Sequence, residues 1–125
     1  NEAEARAAVP TATTAQEAAQ TLAQQCGRPV FLTQSERGIW CVHPSLAAQR
    51  IPAYPVAGPI DPVGAGDSTT AGILTALVAG LSVPQAAAFG CLVASVTVSK
   101  LGTTGVATPE ELRARIQNAI SIENS

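Results

Sequence analysis

Apolar and polar positions fall into blocks along this chain, and each block predicts an element. Thr14-Ala15-Gln16-Glu17 has a capping-box pattern, so a helix is predicted from there to about Gln25, stopped by Gly27. Val30-Phe31-Leu32-Thr33 is a short apolar run of strand type. It is followed by the polar turn Gln34-Ser35-Glu36-Arg37-Gly38 and a second run, Ile39-Trp40-Cys41-Val42-His43. Residues 44 to 59 carry four prolines and little periodicity, which predicts a connection with one short strand around Arg50 to Ala53. A helix is expected from Asp67 to Ala79, terminated by Gly80, with Ile73, Leu74, Leu77 and Val78 as its buried stripe.

Ser82-Val83-Pro84-Gln85 opens the next helix, with Ser as cap and Pro in the first turn; Ala86, Ala87, Gly90 and Ala94 give it a small-residue face. Residues 100 to 105 read as a loop, and Thr108-Pro109-Glu110-Glu111 starts a last helix whose tail frays after Ile120. Together these elements predict an α/β layered arrangement with a mainly parallel sheet flanked by helices.

Composition narrows the function classes. The chain has 125 residues, of which 46% are hydrophobic, 13% charged and only 3% aromatic, enough for one compact core. A net charge of −2 offers no basic field for nucleic acid or anionic lipid, so neither is an expected partner. Three widely spaced cysteines, Cys26, Cys41 and Cys91, form neither a disulfide framework nor a CxxC metal site, and a reducing cytoplasm is the expected setting. Ser68 to Ser99 is free of charge, but Gly80, Ser82, Pro84 and Gln85 interrupt it, so a buried helix pair is expected rather than a membrane span. The chain opens on Asn1 rather than Met and reads as the continuation of a longer protein.

The sharpest chemical signal is Asp61-Pro62-Val63-Gly64-Ala65-Gly66-Asp67. Two glycines around one small residue let successive N–H groups converge, and a helix opening directly from the turn adds its unpaired amides and positive end. The expected result is an anion hole at Gly64, Ala65 and Gly66. Asp67, at the expected first helical position, is repelled by phosphate and is better suited to accepting a proton from an attacking hydroxyl. Taken singly, an acidic first-turn residue is more often a cap, and a Gly-Ala-Gly turn more often tight geometry alone. Weaker candidates have plainer readings: His43 as a strand end, Trp40 and Phe31 as core, Glu110 and Glu111 as helix-start charges.

The octet from Asp61 to Ser68 resembles the signature of the ribokinase-like, or phosphofructokinase B type, carbohydrate kinases, in which Asp-Thr-x-Gly-Ala-Gly-Asp-Thr is usual. Asn1 and Glu4 resemble the family's Asn-x-x-Glu motif, which acts through Mg²⁺ and phosphate, and residues 33 to 38 resemble its nucleotide-phosphate loop. Ser35-Glu36-Arg37-Gly38 and Val98-Ser99-Lys100-Leu101-Gly102-Thr103 are most similar to the heptose 7-phosphate kinases within it.

The resemblance implies a ribokinase-like fold of which residues 1–125 are the nucleotide-binding, carboxy-terminal part, the amino-terminal substrate and lid part being absent. It implies ATP-dependent phosphoryl transfer to a sugar or sugar phosphate, with Asp67 as base. Thr33, Ser35, Gly38, Cys91, Lys100 and Gly102 would be nucleotide contacts, Asn1 and Glu4 would act indirectly on Mg²⁺, and the carbonyls of Asp61 and Val63 would bind a monovalent cation such as K⁺. A homodimer through the absent lid is a further implication, and whether this stretch acts alone stays open. Three residues depart from the family: Pro62 replaces Thr, Ser35 stands where Gly is common, and Cys91 where Asn or His is common. The rival readings are a non-catalytic nucleotide- or sugar-binding regulator on the same fold and a dinucleotide-dependent oxidoreductase. The second lacks a G-x-G-x-x-G after its first strand.

Overall fold

The structure is a computed structural model that describes residues 1–103 and 105–125. Contacts group the chain into two compact units, Asn1–Pro52 and Ala53–Ser125, a finer division than the single core expected from length.

The first unit begins with a short helix, α1 (Glu2–Ala8), that the hydrophobic pattern did not announce. Asn1 caps it and Glu4 completes the box. Helix α2 (Ala15–Cys26) follows as expected and ends on Gly27 in the left-handed conformation. Its box differs in one detail: the Thr14 hydroxyl accepts from the Glu17 N–H at 3.1 Å, but the Glu17 carboxylate accepts from Thr13 N–H at 2.8 Å. Strands β1 (Val30–Thr33), β2 (Ile39–Val42) and β3 (Gln49–Ile51) form one sheet in the order β1-β2-β3. The alanine-rich faces of α1 and α2 pack with Leu32 and Val42 to make the core.

The sheet corrects one expectation. Both pairings are antiparallel, with Val30 opposite Val42 and Ile39 opposite Ile51. A mainly parallel sheet is not what the described residues form. The reason is connection length: five residues, 34 to 38, separate β1 from β2, whereas a parallel return needs a crossover of a dozen or more.

The second unit is helical: α3 (Ala65–Val78), α4 (Val83–Thr97) and α5 (Pro109–Glu123). Ser82 and Thr108 head complete capping boxes, with Gln85 and Glu111 respectively, and α5 continues three residues past Ile120. Helix α3 closes in a Schellman motif, in which Gly80 at φ 88° donates to the Leu77 carbonyl and Leu81 N–H to that of Ala76, each at 3.0 Å.

The buried face of α3 also departs from expectation. Thr69, Gly72, Ile73 and Ala76 are buried, whereas Leu74 and Val78 are exposed (57% and 89%) and Leu77 is 36% exposed. The small residues win because they let two backbones meet. A Cβ placed on Gly72 would lie 3.0 Å from the Gly90 Cα, and one on Gly90 would lie 2.7 Å from Ile73 Cγ1. Hydroxyls of Thr69, Thr70, Thr75 and Ser95 donate to carbonyls one turn back, so the uncharged stretch hides its polar groups locally. No helix among the described residues is long and apolar enough to cross a membrane. The loop expected over residues 100 to 105 is irregular where it is described; Thr104 lies outside the described residues.

Candidate active site

In the second unit, Gly64 adopts φ 78° and becomes the N-cap of α3. The helix therefore starts at Ala65, two residues earlier than expected, and Asp67 occupies its third position rather than its first. α1, α2, α4 and α5 each have a side chain on their first-turn amides; α3 has none. Ala65 N–H donates to the Pro62 carbonyl at 3.0 Å, closing the turn. The amides of Gly64, Gly66 and Asp67 find no acceptor among the described residues. They are orphan donors at the positive end of a fourteen-residue helix, which is the arrangement that favours an anion.

Asp67 itself is exposed, and its carboxylate makes no ion pair or hydrogen bond among the described residues. It stands available to a ligand in the same turn as the open amides.

Asp61 does more than its carbonyl suggested. Its Oδ1 accepts from Val63 N–H and its Oδ2 from Gly102 N–H, both at 3.0 Å, while its own N–H donates to the Val98 carbonyl at 2.7 Å. One carboxylate thus ties the turn before α3 to the segment after α4. The Asp-Pro pair was the available signal, since Asp side chains bond the backbone two residues on. Gly102 meets this bond at φ 76°, a conformation open chiefly to glycine.

Lys100 is engaged elsewhere. Its Nζ pairs with Glu111, 2.9 Å from Oε1, and donates to the Val106 carbonyl. The Thr108 backbone N–H, and after it Lys100, hold the Glu111 carboxyl below the ordinary carboxylate value. Cys91 is buried in α4. Burial pushes the Cys41 thiol, in the first unit, up to about 11, which leaves it inert.

The first unit gathers its own candidates. A cleft of about 280 Å³ is lined by Asn1, by Thr33, Gln34, Ser35 and Arg37 of the expected nucleotide-phosphate loop, and by Glu2, which the sequence had not singled out. Glu4 and Gly38 are not among its lining residues. Asn1 Oδ1 accepts from Glu4 N–H at 3.0 Å, and the Glu4 carboxylate lies 2.7 Å from the Asn1 backbone nitrogen, the two halves of the capping box. Ser35 has φ 53° and Gly38 φ 91°, so the turn between β1 and β2 needs left-handed backbone at both.

The pfkB family carbohydrate kinase model matches residues 1–111. The chain is 35% identical over 85 residues to the bifunctional protein HldE of Stutzerimonas stutzeri, and 38% over 86 residues to that of Shewanella amazonensis. Each match covers 68% of this chain and 18% of the relative, so the chain spans under a fifth of the length of the curated relatives it matches.

Among solved structures, ribokinase from Thermotoga maritima superposes with a TM-score of 0.81 at 24% identity, covering 94% of this chain and 39% of that one. Methanocaldococcus jannaschii nucleoside kinase, at 28% identity, gives 0.64 over 72% of this chain and 30% of that one. The first is a likeness of fold, and it carries the ribokinase-like architecture. With the family model spanning nearly every element from α1 into α5, the chain belongs to the pfkB family of carbohydrate kinases.

Proposed function

We propose that the protein to which this chain belongs transfers the γ-phosphoryl group of ATP to a hydroxyl of a sugar or sugar phosphate, with Asp67 as general base. The observation that carries the reading is the open first turn of α3, whose amides at Gly64, Gly66 and Asp67 have no acceptor among the described residues. A pure binding protein gains nothing from a carboxylate beside such an anion pocket. A phosphotransferase needs one.

In the reaction, the sugar oxygen forms a bond to the γ-phosphorus while the bond from that phosphorus to the bridging oxygen of ADP breaks. Asp67 takes the hydroxyl proton as the new bond forms. The amides and the positive end of α3 hold the charge on the moving phosphoryl oxygens, a task for which they are already oriented. Ala65 shapes the turn through its bond to Pro62 and keeps the backbone close without a bulky side chain.

Thr33 at the end of β1, with Ser35 and Gly38 in the turn after it, are assigned to the nucleotide phosphates, and Gly102, held by Asp61, and Cys91 are assigned to the nucleotide. Lys100 is assigned there too, but its ion pair with Glu111 suits it better to shaping the loop. No cluster of three or more metal-ligating side chains occurs among the described residues. Asn1 and Glu4 carry oxygen donors of the kind magnesium takes, so the ion would be carried mainly by the triphosphate, with these two acting indirectly. Such an ion would supply charge neutralisation at the phosphate oxygens. The carbonyls of Asp61 and Val63 accept no backbone N–H among the described residues, which suits them to a monovalent cation such as K⁺.

The test is ATP consumption by the complete protein against a panel of sugars and sugar phosphates, with the product identified by mass. One phosphorylated sugar, formed with stoichiometric ADP, is the expected result. Tight ATP binding with no turnover on any sugar would instead identify a regulator, and nicotinamide binding a dehydrogenase.

A further inference from the structure

The turn between β1 and β2 is fastened from two sides. From β3, Arg50 donates through Nε at 3.2 Å and Nη2 at 2.9 Å to the Arg37 carbonyl. From α1, a single oxygen, Glu2 Oε1, accepts from the Gln34 side-chain amide at 2.8 Å and pairs with the Arg37 guanidinium. Gln34 is only 6% exposed. Its amide therefore depends on that oxygen, because a buried donor without a partner bears the full desolvation cost. The Glu2–Arg37 pair is more open, with side-chain exposures of 35% and 56%, and an ion pair of that kind adds little to global stability. What Glu2 controls is local: where the turn sits relative to α1.

That position matters because Asn1, Thr33 and Ser35 line the same cleft, and Asn1 immediately precedes Glu2 in the chain. Ser35 is held there at φ 53°, a conformation that its side chain disfavours and that the turn must impose. We infer that Glu2 is a positioning residue for nucleotide binding, whose shared carboxylate oxygen fixes the Gln34–Arg37 turn at the width the nucleotide phosphates require. The inference rests on the kinase reading above and adds to it a residue at a variable position of the Asn-x-x-Glu motif, to which the resemblance gave no role.

The test compares Glu2→Ala and Glu2→Gln with the wild type, using the complete protein. Melting temperature, ATP dissociation constant by calorimetry, and KM for ATP, KM for sugar and kcat are each measured. Glutamine keeps an acceptor for Gln34 and loses the charge. Glu2→Ala is expected to weaken ATP binding and raise the ATP KM about tenfold, with kcat and the sugar KM within about twofold of wild type. Glu2→Gln is expected to recover most of that loss.

An alanine variant that melts earlier but binds ATP like wild type would reduce Glu2 to a structural tie and overturn the inference. So would a fall in kcat at unchanged ATP affinity. If the wild type binds ATP without turning it over, the kinase reading fails by itself and Glu2 is judged on the dissociation constants. If the wild type binds no ATP, both fail.

Discussion

Ser35 occupies left-handed backbone, at φ 53°, in a turn whose other such position, Gly38, is a glycine. For an L-residue that conformation costs about 1–2 kcal/mol, part of which a glycine would return as lost chain entropy. Ser35→Gly is therefore expected to stabilise the fold by about 0.5–1 kcal/mol, seen as a melting temperature a few degrees higher. A lower melting temperature would mean that the Ser35 side chain contributes something the structure does not display. The sequence already marked this position, because glycine is common there in the family, but only the backbone angle says why. Asp61 was legible as a motif residue and not as a clamp. Its two bonds, to Val63 and Gly102, join segments forty-one residues apart, and no local pattern encodes the far one.

Helix ends were the most legible elements, since caps are encoded within four residues. Ser82 with Gln85 and Thr108 with Glu111 form the boxes that their spacing predicts. Helix faces were less so. Hydrophobicity singled out Leu74, Leu77 and Val78 on α3, yet the α3–α4 contact is built on Gly72 and Gly90, where the absence of a side chain is the packing device. Gly90→Ala would bring a Cβ to 2.7 Å from Ile73 Cγ1 and 3.0 Å from the Thr69 carbonyl oxygen. Because the second neighbour is backbone, the helices must separate, at a cost of about 1–3 kcal/mol in a denaturant melt. An unchanged melt would show that the pair is looser than drawn.

The start of α5 supplies a pH test. Thr108 N–H and Lys100 lower the Glu111 pKa from its ordinary 4.5, so the folded state favours the charged form. Its stabilisation is full above 4.5 and is lost as pH falls through the lowered value. The melting-temperature gap between wild type and Glu111→Gln is accordingly expected to close as pH drops below 4.5. A gap that persists at still lower pH would contradict the assignment.

At the scale of the molecule, the family was legible because its signature is contiguous: eight residues, 61 to 68, encode a turn, an open helix end and an acid side by side. Sheet direction was legible only in the length of one connection, which the parallel expectation overlooked. Val30–Thr33 and Ile39–Val42 look alike whether parallel or antiparallel, and only the five-residue connection decides. α1 escaped notice because its seven residues are too few to show a helical period.

The account stands on Asp67 as the proton acceptor beside the open amides of α3. Its most direct test is the single-turnover rate of phosphoryl transfer by Asp67→Asn in the complete protein, at saturating ATP and sugar. The account predicts a rate lowered about 10²- to 10⁴-fold, with ATP affinity unchanged or slightly improved once a like charge is removed. A variant that transfers phosphate at the wild-type rate would contradict it.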